Sequence, residues 1–144
     1  MRSLGPSPLR GAARTCLALC SRIEMAVEYI LVNQTKKEKV SFLHLPGAKK
    51  RELAGGVASS SVVTWYLLNN QGDDIQFVSD TYNDWPFSKG KREDITKYPD
   101  KTFEILEELI KEGILKDEGM SYIDEDEPDT VYIKRYINVW EENN

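Results

Sequence analysis

The sequence predicts an α+β fold in which a mostly antiparallel sheet carries two or three packed helices. Short β-branched and aromatic runs bounded by turn residues indicate the strands, and one strongly amphipathic segment indicates a helix. A chain of 144 residues has the size of a single domain. Its 40% hydrophobic content is ordinary for a globular protein, and no apolar run is long enough to span a bilayer. We therefore expect no membrane partner.

The N-terminal residues differ in composition from the rest of the chain. Residues 1–24 hold four arginines, a single acid and both cysteines of the protein, Cys16 and Cys20. We predict that they form a disordered extension, either a targeting peptide or an upstream segment, and that residues 25–144 form one α+β domain. The two cysteines lack partners for a four-ligand zinc site, so we expect no metal. The absence of cysteine from Met25 onward favours a cytoplasmic location.

The first predicted unit is a β-hairpin. Residues 27–33 and 40–45 are rich in aliphatic and β-branched side chains, and residues 34–38 form a polar turn between them. Pro46 and Gly47 end the second strand. The spacing therefore predicts two antiparallel strands at the start of the domain.

Two helices are predicted to follow the hairpin. Residues 49–54 form a short helical segment that ends at a Gly-Gly pair. Residues 57–70 have strong β propensity, but their length, their Asn-rich exit and a possible N-cap at Ser59 or Ser60 favour a helix. A strand that pairs with residues 75–78 remains the alternative.

The second half contains the clearest helix. Residues 74–80 read as a strand and residues 81–97 as an irregular loop. Asp100 caps the helix predicted for residues 101–112, which ends at Gly113. Apolar residues at helical spacing form its predicted buried stripe: Phe103, Leu106, Leu109, Ile110 and Ile114.

A terminal antiparallel hairpin completes the prediction. Its strands are residues 120–123 and 130–140, and an acidic run lies at its tip. The alternation of side chains along these elements and the helical stripe together predict the core. The predicted core residues are Ile30, Val32, Phe42, Val62, Leu67, Phe77, Phe103, Leu106, Ile110, Ile133 and Ile137.

The acidic run places five carboxylates within residues 124–129. A calcium-binding EF-hand loop that began at Asp124 would need Gly at its sixth position and Glu at its twelfth. The sequence has Asp129 and Arg135 at these positions, which excludes that motif. The run is therefore predicted to be a solvated hairpin turn that protects the strand edges from aggregation.

The last strand carries two different faces. Val131, Ile133, Ile137 and Val139 alternate on one face, which we predict to be the core face. The other face carries aromatic residues, which are enriched in protein interfaces but also pack against helices inside domains. With the acidic tip they give the candidate binding residues Tyr132, Tyr136, Trp140, Asp124, Glu125, Asp126 and Glu127.

Charge is distributed unevenly along the domain. Residues 25–72 have a net charge of +3, whereas residues 73–144 hold nine Lys/Arg against twenty Asp/Glu, a net charge of −11. The acidic half repels phosphate backbones and attracts cationic proteins, which argues against a nucleic-acid ligand. The sequence therefore favours an acidic protein-interaction domain, of the binding, inhibitory or immunity type, for a basic partner such as a nuclease toxin.

A small-molecule-binding module or a small enzyme is the alternative. His44 is the only histidine, and no G-x-S-x-G motif or other catalytic constellation accompanies it. The loop at residues 80–87 combines carboxylates with aromatic side chains and has the composition of a pocket wall. This alternative pocket consists of His44, Asp80, Tyr82, Asp84 and Trp85. No cofactor motif is present, and a role other than catalysis is favoured.

Two short segments carry a resemblance to a group of proteins. The segments YILVNQTKKE (residues 29–38) and IQFVSD (residues 75–80) resemble a pattern found in small uncharacterised bacterial proteins of accessory or mobile-cassette genes. The resemblance implies a bacterial origin and no particular activity.

Overall fold

The computed structural model describes residues 27–81 and 85–142. It confirms the α+β class, with antiparallel sheets and helices in alternation along the chain. The predictions for residues 1–24, including those for Cys16 and Cys20, lie outside the described residues. The elements are β1 (Tyr29–Asn33), β2 (Glu38–Val40), α1 (Lys50–Gly55), α2 (Val57–Asn69), β3 (Ile75–Ser79), a 3-10 helix (Arg92–Lys97), α3 (Thr102–Lys111), β4 (Leu115–Ile123), β5 (Tyr132–Asn138) and α4 (Val139–Glu142).

We call the part of the protein from β1 to α3 the body. A three-stranded antiparallel sheet in the order β2-β1-β3 forms its centre. The predicted hairpin is confirmed, but its second strand ends at Val40 instead of residue 45. Phe42 and His44 have φ angles of 60° and 64°, which a β-strand cannot contain. Residues 41–48 therefore form a connecting segment, which we call the His44 loop.

Each face of this sheet is covered by a separate apolar cluster. Leu31 and Val40 belong to the larger cluster, with residues from α1, α2, α3 and β4. Val32 and Val78 face the other way and pack in a second cluster with Phe87, Ile95 and Tyr98. Alternate residues of β1 thus enter opposite clusters, as the two-residue repeat of a strand requires.

The segment that could have been a strand is the helix α2, as predicted. Its N-cap position is Gly56, however, and neither Ser59 nor Ser60 caps it. The Ser59 hydroxyl donates to the Glu52 carbonyl oxygen at 3.1 Å, and the Ser60 hydroxyl donates to the Gly56 carbonyl oxygen at 2.6 Å. Both serines therefore bind backbone carbonyls of the preceding turn, which short polar side chains do readily within helices.

Helix α3 is confirmed, but its buried stripe lies elsewhere than predicted. The buried residues are Thr102, Ile105, Leu106 and Leu109, again at helical spacing. Phe103 and Ile110 are exposed, contrary to the prediction. Thr102 explains the rotation, because its hydroxyl donates to the Asp100 carboxylate at 2.6 Å and accepts from the Phe42 amide at 3.2 Å.

The predicted core is correct in part. Val32, Phe42, Val62 and Leu106 are buried, and Ile30, Ile133 and Ile137 are half-buried. Leu67, Phe77, Phe103 and Ile110 are exposed, so their assignment to the core was wrong. Residues with equal hydrophobicity lie on both sides of these helices and strands, and burial follows the packing partners that long-range contacts provide.

The last two strands form a separate two-stranded sheet, as the predicted terminal hairpin required. We call β4, β5 and the connecting residues 124–131 the arm. Only Leu115 of β4 is buried. The Lys134 amide in β5 donates to the His44 carbonyl at 2.8 Å and joins the arm to the His44 loop, and the Val139 amide donates to the Ile114 carbonyl at 2.9 Å at the base of the arm. Among the described residues, no helix is long and apolar enough to cross a membrane.

Candidate functional site

The acidic tip of the arm is an ordered turn. The Asp124 carboxylate accepts hydrogen bonds from the Asp126 amide at 2.8 Å and the Glu127 amide at 3.1 Å. The Asp124 amide donates to the Val131 carbonyl at 2.9 Å, and the Val131 amide donates to the Glu127 carbonyl at 2.9 Å. One carboxylate therefore closes the turn, as Asp side chains commonly do, while the others are exposed.

Exposed apolar side chains adjoin these carboxylates. Met120, Tyr122, Ile123 and Val131 are all large and exposed, although they lie on or beside paired strands. Several exposed apolar side chains close to polar ones are typical of protein interaction sites. We call this combined region the tip surface: Met120, Tyr122, Ile123, Glu125, Asp126, Glu127, Asp129 and Val131.

The two faces of the arm are reversed relative to the prediction. Asp117 pairs with Tyr136, and Leu115 pairs with Asn138, so these residues share the face of the buried Leu115. Tyr136 packs against the larger core cluster on this face. The face that carries Tyr132 and Tyr136 therefore lies against the body, which was one of the two alternatives for it, and Ile133 lies on the opposite face with its pairing partner Tyr122.

Tyr132 illustrates the same reversal. Its ring stacks on the His44 imidazole with 3.7 Å between centroids and 7° between planes. His44 Nδ1 lies 2.8 Å from the Tyr132 carbonyl oxygen, and this nitrogen must donate because a carbonyl oxygen only accepts. Binding by Tyr132 and Tyr136 stays a prediction, but the argument that they form an exposed patch beside the tip does not hold.

The charges on the body face of the arm neutralise each other. The Lys134 ammonium donates to the Asp117 carboxylate and lies 5.6 Å from the centroid of the Tyr136 ring. The hydrogen bond from Lys134 lowers the pKa of Asp117, and the same bond raises the pKa of Lys134. Burial raises the pKa of Tyr136. Among the residues that the structure describes, the four exposed tip carboxylates have no comparable cationic partner.

Of the large apolar side chains that the structure describes, Trp140 is the most exposed, at 70%. It lies in α4, and its amide donates to the Asn138 side chain at 2.9 Å. The tip lies before β5 and Trp140 after it, and a strand of seven residues spans about 20 Å. Trp140 and the acidic tip therefore occupy opposite ends of the arm.

The alternative pocket is not assembled by the contacts of its described members. Tyr82 and Asp84 lie outside the described residues. The Asp80 carboxylate accepts from the Glu28 amide at 3.0 Å, and the Trp85 indole donates to the Lys89 carbonyl at 2.8 Å. His44 instead contacts Tyr132 and Phe103, which belong to the arm and α3.

A buried polar cluster joins β1 to α2, and no sequence pattern indicated it. Asn33 is fully buried, and its side-chain Nδ2 donates to the Tyr66 hydroxyl at 3.0 Å and to the Asp73 carboxylate at 2.8 Å. The Tyr66 hydroxyl donates to the Glu38 carboxylate at 2.5 Å. Burial, together with Glu38, raises the pKa of Tyr66. A tyrosine held neutral in this way is a structural donor and a poor general base.

An apolar cleft was also missed. It has a volume of about 440 Å³ and lies between the sheet and the helices α1 and α2. Its walls are Tyr29, Leu53, Ala54, Val63 and Phe77, and its polar residues are Lys50, Ser60 and Thr64. These residues come from α1, α2 and the strands β1 and β3, which are distant in sequence from the helices, so no local pattern could reveal the cleft.

Neither metal chemistry nor relatives define the site further. In the described ranges 27–81 and 85–142, no group of three or more His, Cys, Asp or Glu side chains could hold a metal ion. No protein-family model, curated protein or solved structure matches the chain.

Proposed function

We propose that this chain is a protein-interaction domain that presents the tip surface of its arm to a basic partner protein. The observation that carries the proposal is the combination of exposed carboxylates on an ordered turn with exposed apolar side chains on the adjoining strand ends. Because Asp124 fixes the turn through two backbone amides, little conformational freedom has to be lost there on binding.

The charges of the tip surface fit a cationic protein. Long-range attraction by Glu125, Asp126, Glu127 and Asp129 would accelerate the encounter with such a partner, and this effect falls with ionic strength. Once the proteins are docked, Met120, Tyr122 and Ile123 would supply the apolar contact that holds them together. A nucleic acid would be repelled by the same carboxylates.

The shape of the arm supports an inhibitory type of interaction. A two-stranded sheet with an exposed, ordered end can enter a cleft on a partner, which a flat surface cannot do. A basic cleft is typical of proteins that bind nucleic acid, so occupation by the acidic tip would block that activity.

The test compares two variants with equal changes in charge. The tip variant carries Glu125→Gln, Asp126→Asn and Glu127→Gln, and the control variant carries Glu104→Gln, Glu107→Gln and Glu112→Gln on the exposed side of α3. Each protein is used to capture partners from a lysate of the native host at 50 mM and 500 mM salt. We expect wild type and the control variant to retain a basic protein at low salt, and the tip variant to lose it.

The affinity of the purified partner is then measured by calorimetry. Removal of three steering charges should weaken binding by about tenfold or more at low salt and by less at high salt. Equal loss of binding in the tip and control variants would show that the net charge of the protein, and not the position of the tip carboxylates, determines binding. Retention by the tip variant would contradict the proposal.

A further inference from the structure

The cleft between the sheet and helices α1 and α2 has the properties of a small-molecule site. Its volume of about 440 Å³ lies within the range of about 300–1,000 Å³ that is common for ligand pockets.

Phe77 shows that the cleft exposes an apolar wall. Its side chain is 41% exposed although it lies in β3, the strand next to β1. Its ring contacts Tyr29 edge-on with 6.2 Å between centroids and stacks on Phe42 at 6.4 Å. These contacts fix the aromatic wall in place, and the failure of Phe77 to enter the core is explained by its position at the cleft.

The polar residues of the cleft select the chemistry of a ligand. Lys50 makes no ion pair with any residue in the described part of the chain, and the nearby Glu52 carboxylate accepts instead from the Lys49 amide at 3.2 Å. The Ser60 hydroxyl already donates to the Gly56 carbonyl. Lys50 therefore contributes a cationic side chain, without an ion pair among the described residues, to a cleft whose lining is mostly apolar. It belongs to the half of the domain with a net charge of +3.

We propose that this cleft binds a small amphipathic carboxylate. Its alkyl or aryl body would pack against Tyr29, Val63 and Phe77, and its carboxylate would lie beside the Lys50 ammonium. The pairing of one cation with an apolar wall matches such a molecule in both charge and polarity. This site is independent of the tip surface and of any protein partner.

Decanoate, below its micelle concentration, is the probe. We expect it to raise the melting temperature of the full chain and to bind, by calorimetry, about fivefold more tightly than decylamine. Lys50→Gln should remove most of that preference, because an exposed ion pair contributes at most about a fivefold factor in affinity. Lys111→Gln, a matched loss of charge outside the cleft, should leave the preference for decanoate over decylamine unchanged.

Ala54→Phe tests the location of the ligand. Ala54 is exposed at the cleft wall, so a larger side chain can fill the cleft without disturbing the core. We expect a loss of decanoate binding of about tenfold or more, since the ring would occupy the space of the alkyl chain. Circular dichroism verifies that the variant is folded.

Methyl NMR spectra of the unchanged chain provide a second measurement. Decanoate should shift the signals of Leu53, Ala54 and Val63 before others. Failure of decanoate to bind, equal affinity for decylamine, or shifts spread over the whole surface would overturn the proposal. So would a dimer that Ala54→Phe converts to a monomer, because the occupant would then be a second copy of the chain.

Discussion

The strands of the central sheet and of the arm differ in how much of their surface is buried. In β1 three of five residues are buried, whereas in β4 only one of nine is. Apolar clusters cover both faces of the central sheet, while the arm contacts the body through Leu115, Tyr136 and the stacking of Tyr132 on His44. A two-stranded sheet is marginal by itself, so it depends on this anchorage. The body supplies the stability of the fold, and the arm supplies exposed surface.

Leu109→Ala should show the largest difference between the two regions. Leu109 is 1% exposed and belongs to the larger cluster, and the cavity left by this change should lower the free energy of unfolding by about 3 kcal/mol. The matched change in the arm is Ile123→Ala, at a side chain that is 50% exposed, and it should cost less than about 1 kcal/mol. Urea unfolding followed by circular dichroism measures both. Equal losses would contradict the division between body and arm.

Asn33→Ala should have the next largest effect. The change leaves the Tyr66 hydroxyl and the Lys36 amide without the hydrogen bonds that Asn33 provides. Loss of these buried partners should lower the free energy of unfolding by about 2 kcal/mol. Asn138→Ala in the arm removes one acceptor, that of the Trp140 amide, and should cost under about 1 kcal/mol. A larger loss for Asn138→Ala in chemical unfolding would reverse the order that we expect.

Asp100 in the body and Asp124 in the arm permit a sharper comparison of the two regions, because each carboxylate accepts hydrogen bonds from backbone amides. Burial acts to raise the pKa of Asp100, but hydrogen bonds from Ser41 and Thr102 outweigh it and the pKa is lowered. The stabilisation is therefore present above the unfolded pKa of about 4 and is lost as the pH falls through the lower folded value.

Asp100→Asn should accordingly lower the free energy of unfolding by about 1 kcal/mol at pH 7. The gap between wild type and this variant should narrow as the pH falls below about 4. Asp124→Asn should have a smaller effect at pH 7, since it alters an exposed turn. Urea titrations at pH 7 and at about pH 2.5 to 3 measure the difference in the free energy of unfolding between wild type and Asp100→Asn. A difference that grows in acid would be inconsistent with the lowered pKa of Asp100.

Asp117→Asn should have the smallest effect. The Lys134–Asp117 pair lies on the partly exposed arm, and such pairs contribute under about 0.5 kcal/mol. The difference from wild type should disappear in about 1 M salt, where screening acts over about 3 Å. A loss comparable to that of Leu109→Ala would show that the arm carries stability of its own.

Local patterns predicted the elements well but not their orientation. The hairpins, α2 and α3 follow from propensity, spacing and turn residues, and all are present. The stripe of α3 was misplaced because Phe103 and Ile110 have the same hydrophobic spacing as the residues that are buried. Hydrophobicity therefore does not distinguish the exposed residues from the buried ones. The hydrogen bond between Thr102 and the His44 loop determines which side of α3 is buried.

The candidate sites show the same limit. The acidic tip was predictable because a charged run between two strands falls at a turn. The faces of β5 were not, since both carry large apolar side chains, and a shift of one residue exchanges them. The apolar cleft and the Asn33 cluster depend on contacts between distant segments, for which a single sequence contains no local signal.

The His44 loop has a mechanical consequence. Phe42 and His44 hold positive φ angles, while Thr102 binds the loop at one side and the Lys134 amide at the other. A backbone fixed in this way is a stiff joint between α3 and the arm. We therefore expect a force on the tip to be transmitted through His44 to the start of α3. Phe42 and His44, which lie outside the arm, should accordingly help to set the angle at which the arm points.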